Sequence, residues 1–395
     1  MPGKEYTSRP SRRLLKENRQ VVTMTITRSC NLKCLYCYES NEKHEKESMD
    51  YTIARDIITQ FMEKDNEFKN IEFQFFGGEP MLYFTLIRDI VDWFHSRVWK
   101  KGHIFFITTN GTILTDEMKT WLIKNKKCVV PGFSIDGNRT AHNISRDNSY
   151  DALSGNIPFF KEHWPEQPAK MTICAETTPY VAESIIEMEH MGLNFTANLV
   201  FEDIWGDSKE KERLLDIYQH QLQLLVEFYT KNPHLDPVSP LLSHGLEYFN
   251  QPSLRTTLDG DCIRFCGAGH EMVMIDIDGN QYPCHRFSPW ISKRPPPDKL
   301  QNFQQKWEPE KCSTCKLISI CPICAGFNWE INGDSRIRTT YHCEAFKLEF
   351  LASARLQANR LGQLQDSDLY NLSSREANLA KKRLDTILSL IDDGI

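Results

Sequence analysis

Six short apolar runs, each followed by a turn and a helix-like segment of mixed polarity, organise the first half of this chain. They occupy residues 21–29, 71–76, 103–109, 129–135, 170–177 and 194–200. Alternating strands and helices are typical of α/β proteins with a parallel sheet, whose ligands bind at the carboxyl ends of the strands. The pattern therefore predicts an α/β fold, a partial (β/α)6 barrel of the TIM-like type, with a site in the loops that follow the strands.

The 13 cysteines of the 395-residue chain fall mainly into two regions. Three lie in residues 30–37, eight lie between Cys262 and Cys343, and Cys128 and Cys174 stand alone. The sequence shows no signal peptide and no apolar run of about eighteen residues, so we expect a cytoplasmic protein without a membrane partner. In that reducing compartment, clustered cysteines are more often metal ligands than disulfides. The net charge of −6, without a long basic run, argues against a nucleic-acid partner.

The first cysteine region reads "SCNLKCLYCYE" and follows the first predicted strand. Three thiolates hold three irons of a 4Fe-4S cluster and leave the fourth iron open, whereas a zinc site would need a distant fourth ligand. This CxxxCxxC loop, with Tyr36 before Cys37, resembles that of the radical S-adenosylmethionine (SAM) superfamily. The resemblance implies that Cys30, Cys34 and Cys37 hold a catalytic cluster, and that SAM bound at its open iron is cleaved to a 5'-deoxyadenosyl radical.

The segment "FFGGEP" after the second run extends this resemblance. Gly77, Gly78, Glu79 and Pro80 match the family's GGEP motif, which implies that they contact SAM, with Glu79 at its amino group. Polar residues in the cysteine loop and after later strands are further candidates for binding SAM, although the Asn-Gly and Asp-Gly pairs among them also suit plain turns. These candidates are Tyr36, Thr109, Asn110, Ser134, Asp136, Arg146 and Glu176. For Arg146, a surface position is the alternative.

In the second cysteine region, "MVMIDIDGNQYP" predicts a β-hairpin that turns at Asp278-Gly279. The close spacing of the following CxxC pairs favours iron-sulfur ligation over a zinc ribbon. The region resembles the SPASM domain, which carries two auxiliary 4Fe-4S clusters in radical SAM enzymes. The resemblance assigns Cys262, Cys266, Cys284 and Cys324 to the first auxiliary cluster and Cys312, Cys315, Cys321 and Cys343 to the second, which makes three clusters in all.

One spacing departs from the SPASM pattern. Two residues separate Cys321 from Cys324, where the family usually has three. Full ligation of the first auxiliary cluster is therefore open, and an open iron there would bind substrate instead.

The domain organisation follows from the positions of these segments. We expect a flexible basic N-terminus (1–20), the barrel (21–200), a helical bridge (201–261), the SPASM region (262–345) and C-terminal helices that pack on the barrel (346–395).

The resemblance implies a peptide or protein substrate. One reading is a maturase that closes a thioether or carbon-carbon crosslink in a ribosomally made peptide; the other is an anaerobic sulfatase-maturing enzyme that converts Ser or Cys to formylglycine. Sulfatase-maturing enzymes carry Asp after the cysteine of Gly-x4-Cys, where this chain has His285. Imidazole is a base near neutral pH, so His285 is a catalytic candidate that favours the first reading without excluding the second.

Partners follow from the same resemblance. We expect a flavodoxin-like or ferredoxin-like electron donor. Twenty residues before the first strand are too few for a leader-binding domain, so we expect the leader to be bound by a separate protein, by the basic N-terminus, or by the barrel and bridge. A non-catalytic metal-binding scaffold is the reading from another class. It predicts no iron-sulfur charge-transfer absorption if the metal is zinc.

Overall fold

The computed structural model describes residues 18–39, 48–243, 267–292, 294–295, 312, 315, 317, 321, 324–335 and 337–362. Residue contacts divide the chain into two compact units. The first comprises the described parts of 1–135, 146–170 and 266–303, and the second those of 136–145, 171–265 and 304–395.

The predicted strands are present with ends shifted by a few residues. The strands are β1 (Arg19–Thr27), β2 (Asn70–Gly77), β3 (Gly102–Thr109), β4 (Val129–Phe133), β5 (Ala169–Ile173), β6 (Phe195–Leu199), β7 (Ser239–Pro240), β8 (Met272–Ile275) and β9 (Gln281–Tyr282). The helices are α1 (Tyr51–Glu63), α2 (Phe84–His95), α3 (Asp116–Lys124), α4 (Arg139–Ser145), α5 (Tyr150–Ser154), α6 (Ile157–His163), α7 (Val181–His190), α8 (Ser208–Lys231), α9 (Pro289–Ser292), α10 (Ala325–Asn332) and α11 (Cys343–Gly362). Short 3-10 helices span Pro80–Tyr83, Ala175–Tyr180 and His285–Phe287.

In the first unit, six strands form one sheet in the order β4-β3-β2-β1-β8-β9. The pairs from β4 to β8 are parallel, as predicted for the barrel strands. One row of register partners crosses the sheet through Val273, Val22, Phe73, Phe105 and Val129, and all five side chains are buried. Burial of this apolar row fixes the register, because a shift of one residue would move every side chain to the opposite face.

The helices after β1 and β2 cover this sheet with apolar side chains at helical spacing. Ile58 and Phe61 of α1 and Ile87 and Phe94 of α2 belong to the same buried cluster as the sheet residues. The Asp50 side chain caps α1 by accepting a hydrogen bond from the Thr52 amide at 2.7 Å. The helices and the sheet thus bury their apolar faces against each other, and the polar side chains lie in the loops at the ends of the strands.

The β8–β9 hairpin confirms the turn predicted at Asp278-Gly279. The Asp276 carboxylate accepts hydrogen bonds from the amides of Asp278 and Asn280, both at 2.8 Å. Gly279 has φ +88°, a conformation that residues other than glycine rarely adopt. The sequence did not predict the position of the hairpin: β8 pairs in parallel with β1, which places the hairpin in the barrel sheet.

The second unit contains the three-stranded sheet β5-β6-β7 and the long helices α8 and α11. The predicted helical bridge (201–261) contains α8, and the predicted C-terminal helices (346–395) include most of α11. Their side chains show that they run parallel: Tyr218 contacts Glu349 (2.7 Å), and further along Thr230 contacts Asn359 (3.2 Å). No helix in the described part of the chain is long and apolar enough to span a membrane. The rest of the predicted C-terminal helical region (363–395) and residues 1–17 of the predicted basic N-terminus lie outside the described residues.

Candidate active site

The loop after β1 carries the three cysteines predicted to ligate the catalytic cluster. Cys30 is exposed and Cys34 and Cys37 are half-buried, and none of the three forms a disulfide. The Leu32 amide points at the Cys30 sulfur (3.4 Å), and the Cys37 amide donates to the Cys34 carbonyl (3.2 Å). One backbone N–H is therefore directed at a cysteine sulfur, and hydrogen bonds of this kind tune the potential of iron-sulfur clusters.

Neighbouring strand-end loops hold this cysteine loop in place. The Asn110 side chain, after β3, donates to the Asn31 side-chain oxygen at 2.9 Å, and Asn31 donates to the Thr112 hydroxyl at 2.9 Å. The Lys33 amide donates to the Asp147 carboxylate at 3.2 Å. The sequence-based prediction included Asn110 but missed Asn31, Thr112 and Asp147, because short polar side chains in loops carry no distinctive pattern. The cysteine loop is thus tied to two other loops through side chains.

Gly77 and Gly78 bring the end of β2 directly against the start of the cysteine loop. The Gly78 amide donates to the Thr27 carbonyl (2.9 Å), and the Glu79 amide donates to the Ser29 carbonyl (2.8 Å). A Cβ atom on Gly77 would overlap the Thr27 carbonyl, one on Gly78 would overlap the Ser29 carbonyl, and Gly77 has φ +123°. Only glycine permits this approach.

Glu79 is fully buried at the centre of this region. Its carboxylate accepts hydrogen bonds from the Thr109 hydroxyl (2.8 Å), the Asn110 amide (2.7 Å) and the Met81 amide (2.9 Å). Burial raises the pKa of Glu79 to about 7, although these three donors and the Arg146 charge act to lower it. Pro80 begins the 3-10 helix that Glu79 caps. The Glu79 carboxylate already joins the end of β2 to the end of β3 through these hydrogen bonds. Contact between Glu79 and the SAM amino group stays a prediction.

We expect Thr109→Val to lower the free energy of unfolding by about 1–3 kcal/mol, because the buried Glu79 carboxylate loses a donor that the valine methyl group cannot replace. Chemical denaturation of the anaerobic protein measures this change. Thr120→Val is the matched control, since the Thr120 hydroxyl lies exposed on α3 and donates only to the Asp116 carbonyl. Equal losses in the two variants would contradict a supporting role for Thr109 at Glu79.

Arg146 is buried, with 7% of its surface exposed, so the surface position considered from the sequence is wrong. Its guanidinium nitrogen Nη1 lies 4.0 Å from the Cys34 sulfur, and its Cζ lies 5.5 Å from the centre of the Tyr36 ring. A fixed positive charge beside a cysteine sulfur stabilises a thiolate there. Arg146 therefore joins the cysteine loop, together with the predicted residue Tyr36.

Two of the remaining residues predicted to bind SAM, Ser134 and Asp136, take part in backbone pairing or hydrogen bonds within the fold. Ser134 forms an isolated parallel bridge with Lys170. The buried Asp136 carboxylate accepts from the Ser145 hydroxyl and the Thr172 amide, both at 2.9 Å. Glu176 is exposed on the 3-10 helix after β5. Their roles at SAM stay predictions.

His285 lies directly after Cys284 and packs between aromatic rings. Its ring centre is 5.5 Å from that of Tyr38, nearly parallel at 16°, and 5.3 Å from that of Phe76. Tyr38 follows Cys37 and Phe76 precedes Gly77, so both neighbours adjoin predicted motifs. Burial, with the positive charges of Arg286 and Lys170, lowers the pKa of His285 to about 3. The imidazole is therefore neutral at pH 7 and a weak base.

The auxiliary cysteines are described only in part. Cys284 belongs to the first unit and is buried. In the second unit, Cys312 is buried, the Cys315 amide donates to the Cys312 carbonyl (3.1 Å), Cys324 caps α10 and Cys343 begins α11. Cys321 is half-buried, and Cys262 and Cys266 lie outside the described residues. Among the described residues, no three His, Cys, Asp or Glu side chains converge closely enough to hold a single metal ion.

Similarity to known proteins identifies the family. Residues 24–173 match the protein-family model described as "Radical SAM superfamily". A cysteine-type anaerobic sulfatase-maturating enzyme of Clostridium perfringens (strain ATCC 13124) is 32% identical over 356 residues, covering 80% of this chain and 91% of that protein. The chain belongs to the radical SAM superfamily.

Further similarity supports the fold and a relationship to peptide-modifying proteins. The antilisterial bacteriocin subtilosin biosynthesis protein AlbA of Bacillus subtilis is 24% identical over 277 residues, covering 67% of this chain and 54% of that protein. The solved structure of native anSMEcpe with bound AdoMet and Cp18Cys peptide matches with a TM-score of 0.65 at 17% identity, covering 87% of this chain and 99% of that one. The α/β architecture with its parallel sheet is therefore the radical SAM partial barrel.

Membership of the radical SAM superfamily implies SAM and a 4Fe-4S cluster, and the residues present fit both. The cysteine loop offers three thiols outside any disulfide, and Gly77 and Gly78 bring the GGEP turn against this loop at a distance that an added Cβ would prevent. Burial raises the pKa of the Cys37 thiol to about 12, so a bound metal would be needed to hold it as the thiolate. A cubane cluster also spreads its ligand sulfurs more widely than a single ion does.

Proposed function

We propose that this radical SAM enzyme closes a thioether or carbon-carbon crosslink in a ribosomally made peptide. The observation that carries the proposal is the environment of His285. At the position where sulfatase-maturing enzymes carry a carboxylate, this chain has a neutral imidazole packed between Tyr38 and Phe76. Crosslinking removes two hydrogens from the peptide, one as a hydrogen atom and the other as a proton and an electron.

The chain's own residues have distinct roles in this proposal. Cys30, Cys34 and Cys37 would hold the cluster, and Gly77 and Gly78 bring the GGEP turn against the cysteine loop. When bound, the cluster and SAM supply the 5'-deoxyadenosyl radical that abstracts the hydrogen atom. Arg146 keeps positive charge beside the Cys34 sulfur. The cysteines of the SPASM region would hold the auxiliary clusters, which would supply an acceptor for the electron.

The low pKa of His285 argues against this imidazole as the base of either candidate reaction. Formylglycine formation and crosslinking each release a proton from the substrate that a base must take. A base whose conjugate acid has a pKa of about 3 takes that proton poorly at pH 7. In this proposal His285 lines the site, and its flat ring packs between the rings of Tyr38 and Phe76.

Sulfatase maturation is the second candidate. It is supported by the Clostridium perfringens sulfatase-maturating enzyme, of which this chain covers 91% at 32% identity. Another residue would then take the substrate proton in place of the aspartate. Both candidates need an electron donor of the flavodoxin or ferredoxin type, and crosslinking also needs an element that binds the leader peptide.

Tandem mass spectrometry of candidate peptides tests the proposal. Small peptides encoded beside the gene are co-expressed anaerobically with the enzyme, and a sulfatase peptide with Ser or Cys is treated in the same way. We expect a genomic neighbour to lose two hydrogens and to resist fragmentation between the two linked residues. An aldehyde on the sulfatase peptide, with every neighbouring peptide unmodified, would show that sulfatase maturation is the function.

Variants of His285 sharpen this experiment. His285→Phe retains a flat ring between Tyr38 and Phe76, so we expect crosslinking to continue within about threefold of the wild-type rate, whereas loss of a general base costs about 10²–10⁴-fold. His285→Asp places a charge between two aromatic rings and should lower crosslinking. A drop of the larger size in His285→Phe, with normal cluster absorption, would mean that the imidazole is a base after all.

A further inference from the structure

A groove with an apolar floor runs between α8 and α11 in the second unit. It encloses about 240 Å³ and is lined by Leu222 and Val226 of α8 and by Leu348 and Leu351 of α11. Polar side chains, including Glu227 and Arg355, form its rim. An apolar floor with a polar rim is the surface that an amphipathic helix covers.

The spacing of the lining residues gives the groove its direction. Leu222 and Val226 are four residues apart on α8, and Leu348, Leu351 and Arg355 follow one another at intervals of three and four on α11. Residues at these intervals share one face of a helix. Because the two helices run parallel, the groove follows both axes, and its α11 side from residue 348 to 359 is about 16 Å long.

The chain itself contains a segment that matches this groove. In residues 374–391, one set of apolar side chains recurs at alternating intervals of three and four: Ala377, Ala380, Leu384, Ile387 and Ile391. Leu388 lies beside this stripe, whereas Leu379 and Leu390 lie off it. The stripe predicts an amphipathic helix. Residues 363–373 link the stripe to the end of α11 and reach up to about 36 Å when extended, more than a return along the groove requires.

Charge supports an antiparallel arrangement. A segment that turns back after α11 first meets the end of the groove that contains Glu227. The basic residues Lys381, Lys382 and Arg383 directly precede Leu384, so a return that places Leu384 on the floor puts them on the side of the groove towards Glu227. The Glu227 carboxylate is exposed, and the Lys231 ammonium lies 4.0 Å from it, which is a loose ion pair. The carboxylate can therefore accept a second cation.

We propose that residues 374–391 form a helix that lies antiparallel to α11 in this groove, with Leu384 and Ile387 on its floor. Docking covers the apolar floor and holds α11 against α8. Cys343, a predicted cluster ligand, is the first residue of α11. The C-terminal segment thereby supports the helix that carries this cysteine. The proposal does not depend on which substrate the enzyme modifies.

Hydrogen–deuterium exchange of the full chain tests this docking. In Leu384→Lys, a charge enters the apolar stripe, so we expect exchange in 374–391 to rise by about tenfold or more, with smaller increases in 219–227 and 348–359. Ser389→Lys adds the same charge on the opposite face of the predicted helix and should leave all three regions unchanged. The reciprocal variant, Leu351→Lys, should release 374–391 while circular dichroism shows the remaining helices intact.

Other occupants of the groove give different results. Protection of 219–227 and 348–359 that depends on protein concentration would show a second copy of the chain there and would overturn the proposal. Protection that appears only after a substrate peptide is added would also overturn it. So would equal exchange in Leu384→Lys and Ser389→Lys. Protection that is independent of concentration and lost only in Leu384→Lys and Leu351→Lys supports it.

Discussion

Cys34→Ala abolishes the reductive cleavage of SAM, so that 5'-deoxyadenosine forms no faster than without enzyme. With Cys34 removed, two thiols remain in the loop after β1, and a 4Fe-4S cluster held at two irons is not retained. We expect the iron content to fall by about four atoms per chain. Liquid chromatography of 5'-deoxyadenosine after chemical reduction, together with iron analysis, measures both effects in anaerobically purified protein.

Cys128→Ala is the control for this experiment. Cys128 is also a half-buried free thiol of the first unit, but it contacts His95 and the Asn125 carbonyl rather than the cysteine loop. Iron content and SAM cleavage should match the wild type. If both variants lost iron equally, the loss would reflect general instability, and if Cys34→Ala still cleaved SAM, the assignment of Cys34 as a ligand would be wrong.

Gly77→Ala lowers the free energy of unfolding by about 2–4 kcal/mol, because it combines a strained backbone with an overlap in a packed region. The residue has φ +123°, and a Cβ there meets the Thr27 carbonyl at the exit of β1. Relief of the overlap moves the cysteine loop away from β2, so we also expect weaker SAM binding. Denaturation and equilibrium binding of SAM, each on anaerobic protein, measure the two effects.

Gly155→Ala is the matched substitution. Gly155 has a helical conformation after α5, and nothing lies within 4 Å of the added Cβ. The same change in chemistry should therefore leave stability within about 1 kcal/mol of the wild type or raise it. Normal SAM binding by Gly77→Ala, with unchanged stability, would contradict the close approach of β2 to the cysteine loop.

The barrel strands could be predicted because their apolar β-branched residues mark buried parallel strands directly in the sequence. The GGEP segment and the cysteine loop could also be predicted to meet, since both follow neighbouring strands. By contrast, nothing local indicates that β8 pairs with β1, because pairing of distant segments leaves no pattern in either one. The neighbours of His285 were missed for the same reason: Tyr38, Phe76 and His285 come from three separate strand-end segments.

Burial likewise could not be predicted from residue type. From the sequence, Glu79 is a polar residue in a glycine-rich turn, and the exposure of the Arg146 side chain cannot be predicted. The fold buries both, and this burial raises the pKa of Glu79 to about 7. The low pKa of His285 has the same origin, so the chemistry of the site depends on packing that only the three-dimensional structure provides.

The pairing of β1 with β8 has a consequence for biosynthesis. Val21 lies opposite Met272, about 250 residues later in the chain. During translation at about 5–20 residues per second, β1 therefore keeps one open edge for about 12–50 seconds before its partner emerges. An open, apolar strand edge is a template for association with other chains. A nascent chain that stalls before residue 272 is thus expected to aggregate, and the hairpin that follows is the element that ends this exposure.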